Sequence, residues 1–202
     1  MQQEHEWIMS SHETNPDRSS IGCWNVKDWT TVYRNPDLFS KRVNVAVVRG
    51  EGTNGHREMA AMLYCAGFNV HDITTSDLTD GRVTNLSDFH GLVFPGGFTY
   101  SDVLGSAAGW EAVLTRNVKA KQMMQEFRSR QDTFVLGVCN GCQLLARLGW
   151  ISTTTELTQN VSKRFESRFV SVMLQSDTFW TKDCNGLTLG EHTSFLGFQF
   201  WT

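Results

Sequence analysis

The sequence lacks three features that would each point to a distinct class of protein. No apolar stretch approaches the roughly 20 residues of a membrane-spanning helix, so we expect no membrane partner. No long run of lysine and arginine is present and the formal net charge is -3, so we expect no nucleic-acid partner. The 5 cysteines are odd in number and irregularly spaced, unlike a disulfide framework. A reducing, cytoplasmic setting fits this cysteine usage best.

The chain does have enough apolar sequence for one substantial core. Its 202 residues are 40% hydrophobic. Residues 1–42 differ from the rest, because they hold three of the 7 tryptophans and two of the 3 prolines but no sustained periodicity. We interpret them as a linker or docking extension, although an ordinary chain terminus would show the same pattern.

Four predicted strands alternate with predicted helices over residues 43–148. The predicted strands lie at 43–48, which is apolar nearly throughout, and at 68–73, 90–94 and 134–138, with apolar residues at helical spacing between them. This alternation predicts an α/β fold with a mainly parallel open sheet and helices on both faces, in a flavodoxin-like three-layer arrangement.

Local signals predict where individual elements begin and end. Asn54 is the predicted N-cap of the first helix and Gly67 its predicted stop. Residues 74–88 are polar and predict mostly loop, whereas residues 103–114 predict a helix that Gly105 and Gly109 weaken.

The sharpest chemical signal is the sequence Gly137-Val138-Cys139-Asn140-Gly141, which directly follows the fourth predicted strand. It has the form of a nucleophile elbow, in which the central residue sits on a strained strand-to-helix turn between two small residues. The start of the next helix favours a thiolate and offers backbone N–H groups to an oxyanion. The pattern predicts that Cys139 is a nucleophile.

A second glycine turn, Pro95-Gly96-Gly97-Phe98, ends the third predicted strand. If the third and fourth strands are neighbours in the sheet, the N–H groups of Gly97 and Asn140 bracket one oxyanion. Taken alone, this turn is equally consistent with a simple connection between strand and helix.

Three other interpretations compete at these motifs. Residues 50–55 match the dinucleotide pattern G-x-G-x-x-G with Asp72 about 20 residues on, but Glu51 would oppose a pyrophosphate, so a tight turn at the site is favoured. Cys139 and Cys142 form a C-x-x-C, which is the pattern of a redox pair or of half a zinc site. No second C-x-x-C is present, and Cys142 can serve as a small core residue, which is the favoured interpretation. A buried structural Cys139 would not require both flanking glycines.

A cysteine nucleophile normally needs a histidine base that a carboxylate orients. Only His192 follows Cys139 in the chain, and it has no convincing orienting partner in the sequence. The six histidines are His5, His12, His56, His71, His90 and His192.

Four stretches of the sequence together resemble one family. They are residues 49–60 (RGEGTNGHREMA), 96–105 (GGFTYSDVLG), 137–143 (GVCNGCQ) and 160–168 (NVSKRFESR). This combination is similar to the glutaminase domain of phosphoribosylformylglycinamidine synthase, a class I glutamine amidotransferase of purine biosynthesis. The resemblance covers residues 43–190, which we predict to form the glutaminase domain, and implies the class I amidotransferase fold.

The resemblance also implies roles for individual residues. Cys139 would attack the side-chain amide of glutamine, form a glutamyl thioester and release ammonia, while the backbone of Gly97 and Asn140 would form the oxyanion hole. The implied substrate-binding residues are Gln143, Phe98, Asn160 and Ser162. No cofactor and no metal are expected in this chain. ATP and magnesium belong to the formylglycinamide ribonucleotide synthetase domain, which is the expected partner and is normally fused.

The sequence departs from the family at its end. Family members continue with further strands and a histidine–proline–glutamate type segment that carries the base and its orienting group. Here the likeness fades near Gly190, and an aromatic tail occupies residues 191–202. We therefore expect a C-terminally truncated glutaminase that is inactive alone because the catalytic histidine and glutamate are missing. A non-catalytic binding or regulatory module on the same fold is the alternative.

Overall fold

A computed structural model describes residues 42–154, 157–158, 161–163, 169–173, 188–192 and 199–201. Apart from Arg42, the predicted extension at 1–42 lies outside the described residues. The predicted substrate residue Asn160 also lies outside them.

The architecture is a five-stranded sheet with helices between its parallel strands. In chain order the strands are β1 (Asn44–Arg49), β2 (Asn69–Thr74), β3 (Gly91–Phe94), β4 (Phe134–Gly137), β5 (Phe169–Met173), β6 (Thr188–His192) and β7 (Gln199–Trp201). The helices are α1 (His56–Cys65), α2 (Thr75–Thr79), α3 (Ala108–Arg116), α4 (Val118–Ser129) and α5 (Asn140–Arg147), with a short turn at Thr99–Asp102. The main sheet has the order β2-β1-β3-β4-β7, and β5 pairs with β6 in a separate ladder.

The first four strands run parallel, and β7 lies antiparallel beside β4. The predicted aromatic tail thus contains a strand, whose Phe200 is paired with Leu136. The predicted mainly parallel α/β fold is confirmed. Among the described residues, no helix is long and apolar enough to cross a membrane.

Both faces of the sheet are covered, because alternate residues of each strand point to opposite sides. On one face, Val45, Val47 and Val93 pack with Met59 and Leu63 of α1. On the other face, strand residues join side chains from α3, α4 and α5. Large buried members of this second cluster include Phe94, Trp110, Leu114, Phe127, Leu144 and Leu145.

Two local predictions differ from the structure. The N-cap of α1 is Gly55 rather than Asn54, because the Gly55 N–H is held by the carbonyl of Gly96 (3.0 Å) and fixes the turn. The stretch 74–88 is mostly loop as predicted, although it contains α2, which begins with a reciprocal capping box of Thr74 and Asp77. The helix predicted over 103–114 begins only at Ala108, because the preceding residues take left-handed backbone conformations. Gly67, with φ +94°, follows α1 as predicted.

Candidate active site

Cys139 lies at the elbow between β4 and α5, with φ 50° and ψ -108°. A left-handed backbone is strained for a residue with a side chain, and such strain persists only where neighbouring structure enforces it. The thiol is exposed at the N-terminus of α5. The alternative of a buried structural cysteine is wrong, because this side chain is open to solvent.

Both flanking glycines are required by close packing. A Cβ on Gly141 would lie 1.8 Å from the carbonyl oxygen of Phe94 on β3. A Cβ on Gly137 would lie 2.7 Å from the backbone of Gly141. The elbow is therefore so tight that only hydrogen atoms fit on either side of the nucleophile.

The second glycine turn lies against the elbow because β3 and β4 are neighbours, with Phe94 paired to Gly137. A Cβ added to Gly96 would lie 3.3 Å from the Cβ of Cys139. Gly97 has φ +149°, and a Cβ there would meet the Asn54 backbone nitrogen at 2.8 Å. The structure thus brings this turn beside Cys139. The use of the Gly97 and Asn140 N–H groups as an oxyanion hole stays a prediction.

The first glycine turn, residues 50–55, packs on the second one instead of framing a nucleotide. Phe98 N–H donates to the Gly52 carbonyl (3.2 Å), and a Cβ on Gly52 would meet the Phe98 carbonyl oxygen at 2.4 Å. Asp72 is the acidic residue of the dinucleotide pattern. Its carboxylate accepts hydrogen bonds from Arg49, from Nε at 2.8 Å and from Nη2 at 3.0 Å. The glycines of this motif serve close backbone contact, as the favoured tight-turn interpretation requires.

The side chain of Asn140 ties the elbow to the loop after β3. This residue is 1% exposed. Its Oδ1 accepts from the Thr99 N–H (3.1 Å), and its Nδ2 donates to Asp102 Oδ1 (2.9 Å) and to Gln143 Oε1 (3.0 Å). The sequence pattern predicted a role only for the backbone N–H of Asn140. It predicted neither the hydrogen bonds of the Asn140 side chain nor the contribution of Asp102. The one available signal was that Asp102 falls inside a family-like stretch.

A pair of buried hydroxyl groups extends this network to the first turn. Thr53 Oγ1 and Thr99 Oγ1 lie 2.7 Å apart, and the Gly50 N–H donates to Thr53 Oγ1 (3.1 Å). Both threonines are buried, at 9% and 0% exposure. Buried hydrogen bonds therefore link the three glycine turns. An unpaired polar group at such a buried position would destabilise the fold.

Cys142 packs against the core, as the favoured interpretation of the C-x-x-C pattern predicts. It packs against the larger hydrophobic cluster, and burial, followed by the nearby Cys139, raises the pKa of its thiol. Among the residues that the structure describes, no three metal-ligating side chains come together.

Within the described ranges, the Cys139 thiol makes no hydrogen bond or ion pair with a histidine. His71 lies edge-on to the ring of Phe89, at 5.2 Å between centroids. His90 pairs with Asp132 (3.4 Å) at the opposite, amino end of β3.

The remaining predicted substrate residues are placed only in part. Phe98 is 68% exposed beside Gly97, and Ser162 is also exposed. Their contact with glutamine stays a prediction.

A groove of about 1050 Å³ lies away from Cys139, at the amino end of β4. Phe134, Trp150 and Arg130 are among its lining residues. The charge of Arg130 is neutralised by Asp132 at 2.7 Å. We therefore assign the chemistry to the elbow and not to this groove.

Comparisons with known proteins agree with this geometry. A family model described as a CobB/CobQ-like glutamine amidotransferase domain matches residues 42–200. The probable phosphoribosylformylglycinamidine synthase, chloroplastic/mitochondrial, of Arabidopsis thaliana is 42% identical over 201 residues, covering 94% of this chain and 14% of that protein. The Homo sapiens phosphoribosylformylglycinamidine synthase is 46% identical over 160 residues, covering 70% of this chain and 12% of the relative. The resemblance drawn from the four stretches is confirmed.

The solved structure of PurLQS from Thermotoga maritima shares the fold, with a TM-score of 0.59 and 22% sequence identity. That similarity covers 80% of this chain and 70% of the other. By contrast, the present chain spans only 14% and 12% of the length of the Arabidopsis thaliana and Homo sapiens relatives. The family match runs past residue 190, and the domain boundaries 43–190 and 191–202 stay predictions, as does a cytoplasmic location.

Proposed function

This chain belongs to the CobB/CobQ-like glutamine amidotransferase family, and we propose that it is the glutaminase portion of a phosphoribosylformylglycinamidine synthase in purine biosynthesis. The observation that carries the proposal is the exposed Cys139 on a left-handed elbow, with Gly96 packed against it. Relatives at 42% and 46% identity bear the synthase name, and this supports the proposed assignment to that enzyme.

In the proposed reaction, the Cys139 thiolate attacks the side-chain carbonyl carbon of glutamine. A carbon–sulfur bond forms, and the carbonyl electron pair moves to oxygen, where the N–H groups of Gly97 and Asn140 receive it. Each such donor typically contributes about 10²–10³ in rate. The carbonyl then re-forms, the carbon–nitrogen bond breaks and the nitrogen leaves as ammonia after taking a proton. Water hydrolyses the thioester to glutamate and restores the thiol.

A reagent that resembles glutamine tests this function. We would incubate the chain with a chloroketone in which the glutamine amide is replaced by a chloromethyl ketone, and locate the adduct by mass spectrometry. We expect a single adduct on Cys139, formed more slowly as glutamine is added. Labelling that spreads over Cys65 and Cys142, or that glutamine does not slow, would count against a glutamine site.

The proton for the leaving ammonia must come from a general acid, which typically contributes about 10²–10⁴ in rate. Because the Cys139 thiol has no histidine partner among the described residues, we propose that the chain alone is a poor glutaminase. The expected ammonia release is about 10²-fold or more below that of the full-length Homo sapiens relative under the same conditions. Comparable release that depends on Cys139 would contradict this proposal.

We further propose that ammonia passes to a formylglycinamide ribonucleotide synthetase portion, which would supply the ATP and magnesium chemistry. Three apolar side chains on the segment that carries Gly97 support a partner at this edge. They are Phe98, Val103 and Leu104, at 68%, 56% and 84% exposure. An exposed apolar group of this kind is typical of a protein interface.

Leu104→Asp is expected to weaken binding of the synthetase portion of a relative by about tenfold or more, because a charge would be buried at the contact. The measurement is a titration by calorimetry against the Homo sapiens relative lacking its matched glutaminase residues. Val118→Asp, at an equally open position on α4 (77% exposed), is the matched control and should bind normally. Equal weakening by both variants would argue against an interface at this edge.

A further inference from the structure

Residues 99–107 form a strained segment that runs from the second glycine turn to α3. Five of its non-glycine residues have a positive φ between 48° and 66°, namely Tyr100, Ser101, Asp102, Leu104 and Ala107. Side chains disfavour this region, so the segment keeps its shape only where other groups hold it.

Asp102 and the side-chain amide of Asn140, which are hydrogen-bonded to each other, together hold both ends of this segment. Asp102 Oδ1 accepts from the Ala107 N–H (3.0 Å), at the far end of the segment, and from Asn140 Nδ2 (2.9 Å), at the elbow. The Thr99 N–H, at the near end, donates to the other atom of the same amide, Asn140 Oδ1 (3.1 Å). A further tie comes from Arg147, whose Nε donates to the Ser106 carbonyl.

The chemistry of the partners decides which way the Asn140 amide points. A carboxylate can only accept and a backbone N–H can only donate, so Asp102 requires the amide nitrogen and Thr99 requires the amide oxygen. Gln143 cannot set this direction, because its own amide can offer either atom. With Asn140 Nδ2 donating to it, Gln143 must present Oε1 there (3.0 Å), which leaves its Nε2 hydrogens for another acceptor.

We propose that Asp102 is a positioning residue of this site, which acts through the amide of Asn140. It keeps residues 97–99 beside Cys139, and it turns Gln143 so that its Nε2 faces the substrate as a donor. The inference rests on the proposed glutaminase function for its chemical consequence, whereas the tethering of the segment stands on the hydrogen bonds alone.

Asp102→Ala removes the acceptor and Asp102→Asn restores it. In the asparagine variant the Ala107 N–H still requires an oxygen at the same place, so that oxygen can serve Asn140 as well. Asp88→Ala is the matched control, since Asp88 is an exposed loop aspartate whose carboxylate accepts from the neighbouring Ser87 hydroxyl.

Two measurements on the full chain test the proposal. Amide hydrogen exchange of peptides covering residues 96–107 should be about tenfold faster or more in Asp102→Ala, with peptides from β1 and α1 unchanged. Labelling of Cys139 by the glutamine-like chloroketone should slow about tenfold or more, because the ketone depends on the oxyanion donors. Labelling by iodoacetamide, which has no such requirement, should stay within about twofold. The asparagine variant should restore both the exchange rate and the chloroketone labelling rate.

Normal exchange and normal chloroketone labelling in Asp102→Ala would overturn the proposal. An equal slowing of both reagents would also overturn it, because that result indicates a general loss of access to Cys139. If the asparagine and alanine variants behave alike, the charge and not the acceptor geometry carries the effect, and the proposed relay is wrong. A chain that the chloroketone never labels at Cys139 would instead remove the proposed glutaminase function, and the exchange comparison would still decide whether Asp102 holds the segment.

Discussion

Replacing Cys139 with alanine is expected to abolish labelling by the glutamine-like chloroketone, a loss of about 10³-fold or more, because no other group takes over from a removed nucleophile. The fold should persist, since the Cys139 side chain is exposed and is not part of either core cluster. Mass spectrometry of the labelled chain measures the first effect, and circular dichroism checks the second.

Cys142→Ala is the matched control for this experiment. It removes a thiol one helical turn away whose pKa burial raises, so labelling at Cys139 should remain within about twofold of the unmodified chain. If Cys142→Ala lost the adduct and Cys139→Ala kept it, Cys142 would be the nucleophile and the assignment of Cys139 would be wrong.

Gly141→Ala is expected to cost about 3 kcal/mol in the free energy of unfolding, near the upper end for overpacking. The reason is steric, because the new Cβ would meet the Phe94 carbonyl oxygen at 1.8 Å and would push β3 away from α5. This loss should appear although alanine is the better helix former by about 1 kcal/mol. Denaturant unfolding followed by circular dichroism measures it.

The control for crowding is Gly81→Ala. Gly81 has φ +79°, and no atom lies within 4 Å of the place that an alanine Cβ would occupy, so this change adds backbone strain of about 1 kcal/mol without a clash. A Gly141→Ala variant no less stable than Gly81→Ala would show that the elbow can open, and would contradict the view that this contact holds Cys139 in place.

Much of the fold was predictable because its signals are local. Residues 43–48 are apolar except for Asn44, as expected of a strand covered on both faces, and β1 forms there. The start of α3 was not predictable, because the left-handed residues before Ala108 are held by Asp102, Arg147 and Asn140, the last two from later in the chain.

The parallel α/β architecture and the cysteine elbow could be derived from the chain alone, since apolar spacing and paired glycines express their requirements within a few residues. The folded structure was needed to show why Gly52 and Gly97 are glycines and that Asp102 reaches the elbow through Asn140. Those contacts join residues some 40 positions apart, and their energy depends on which atoms the folded sheet brings together. No local sequence pattern can therefore predict these contacts.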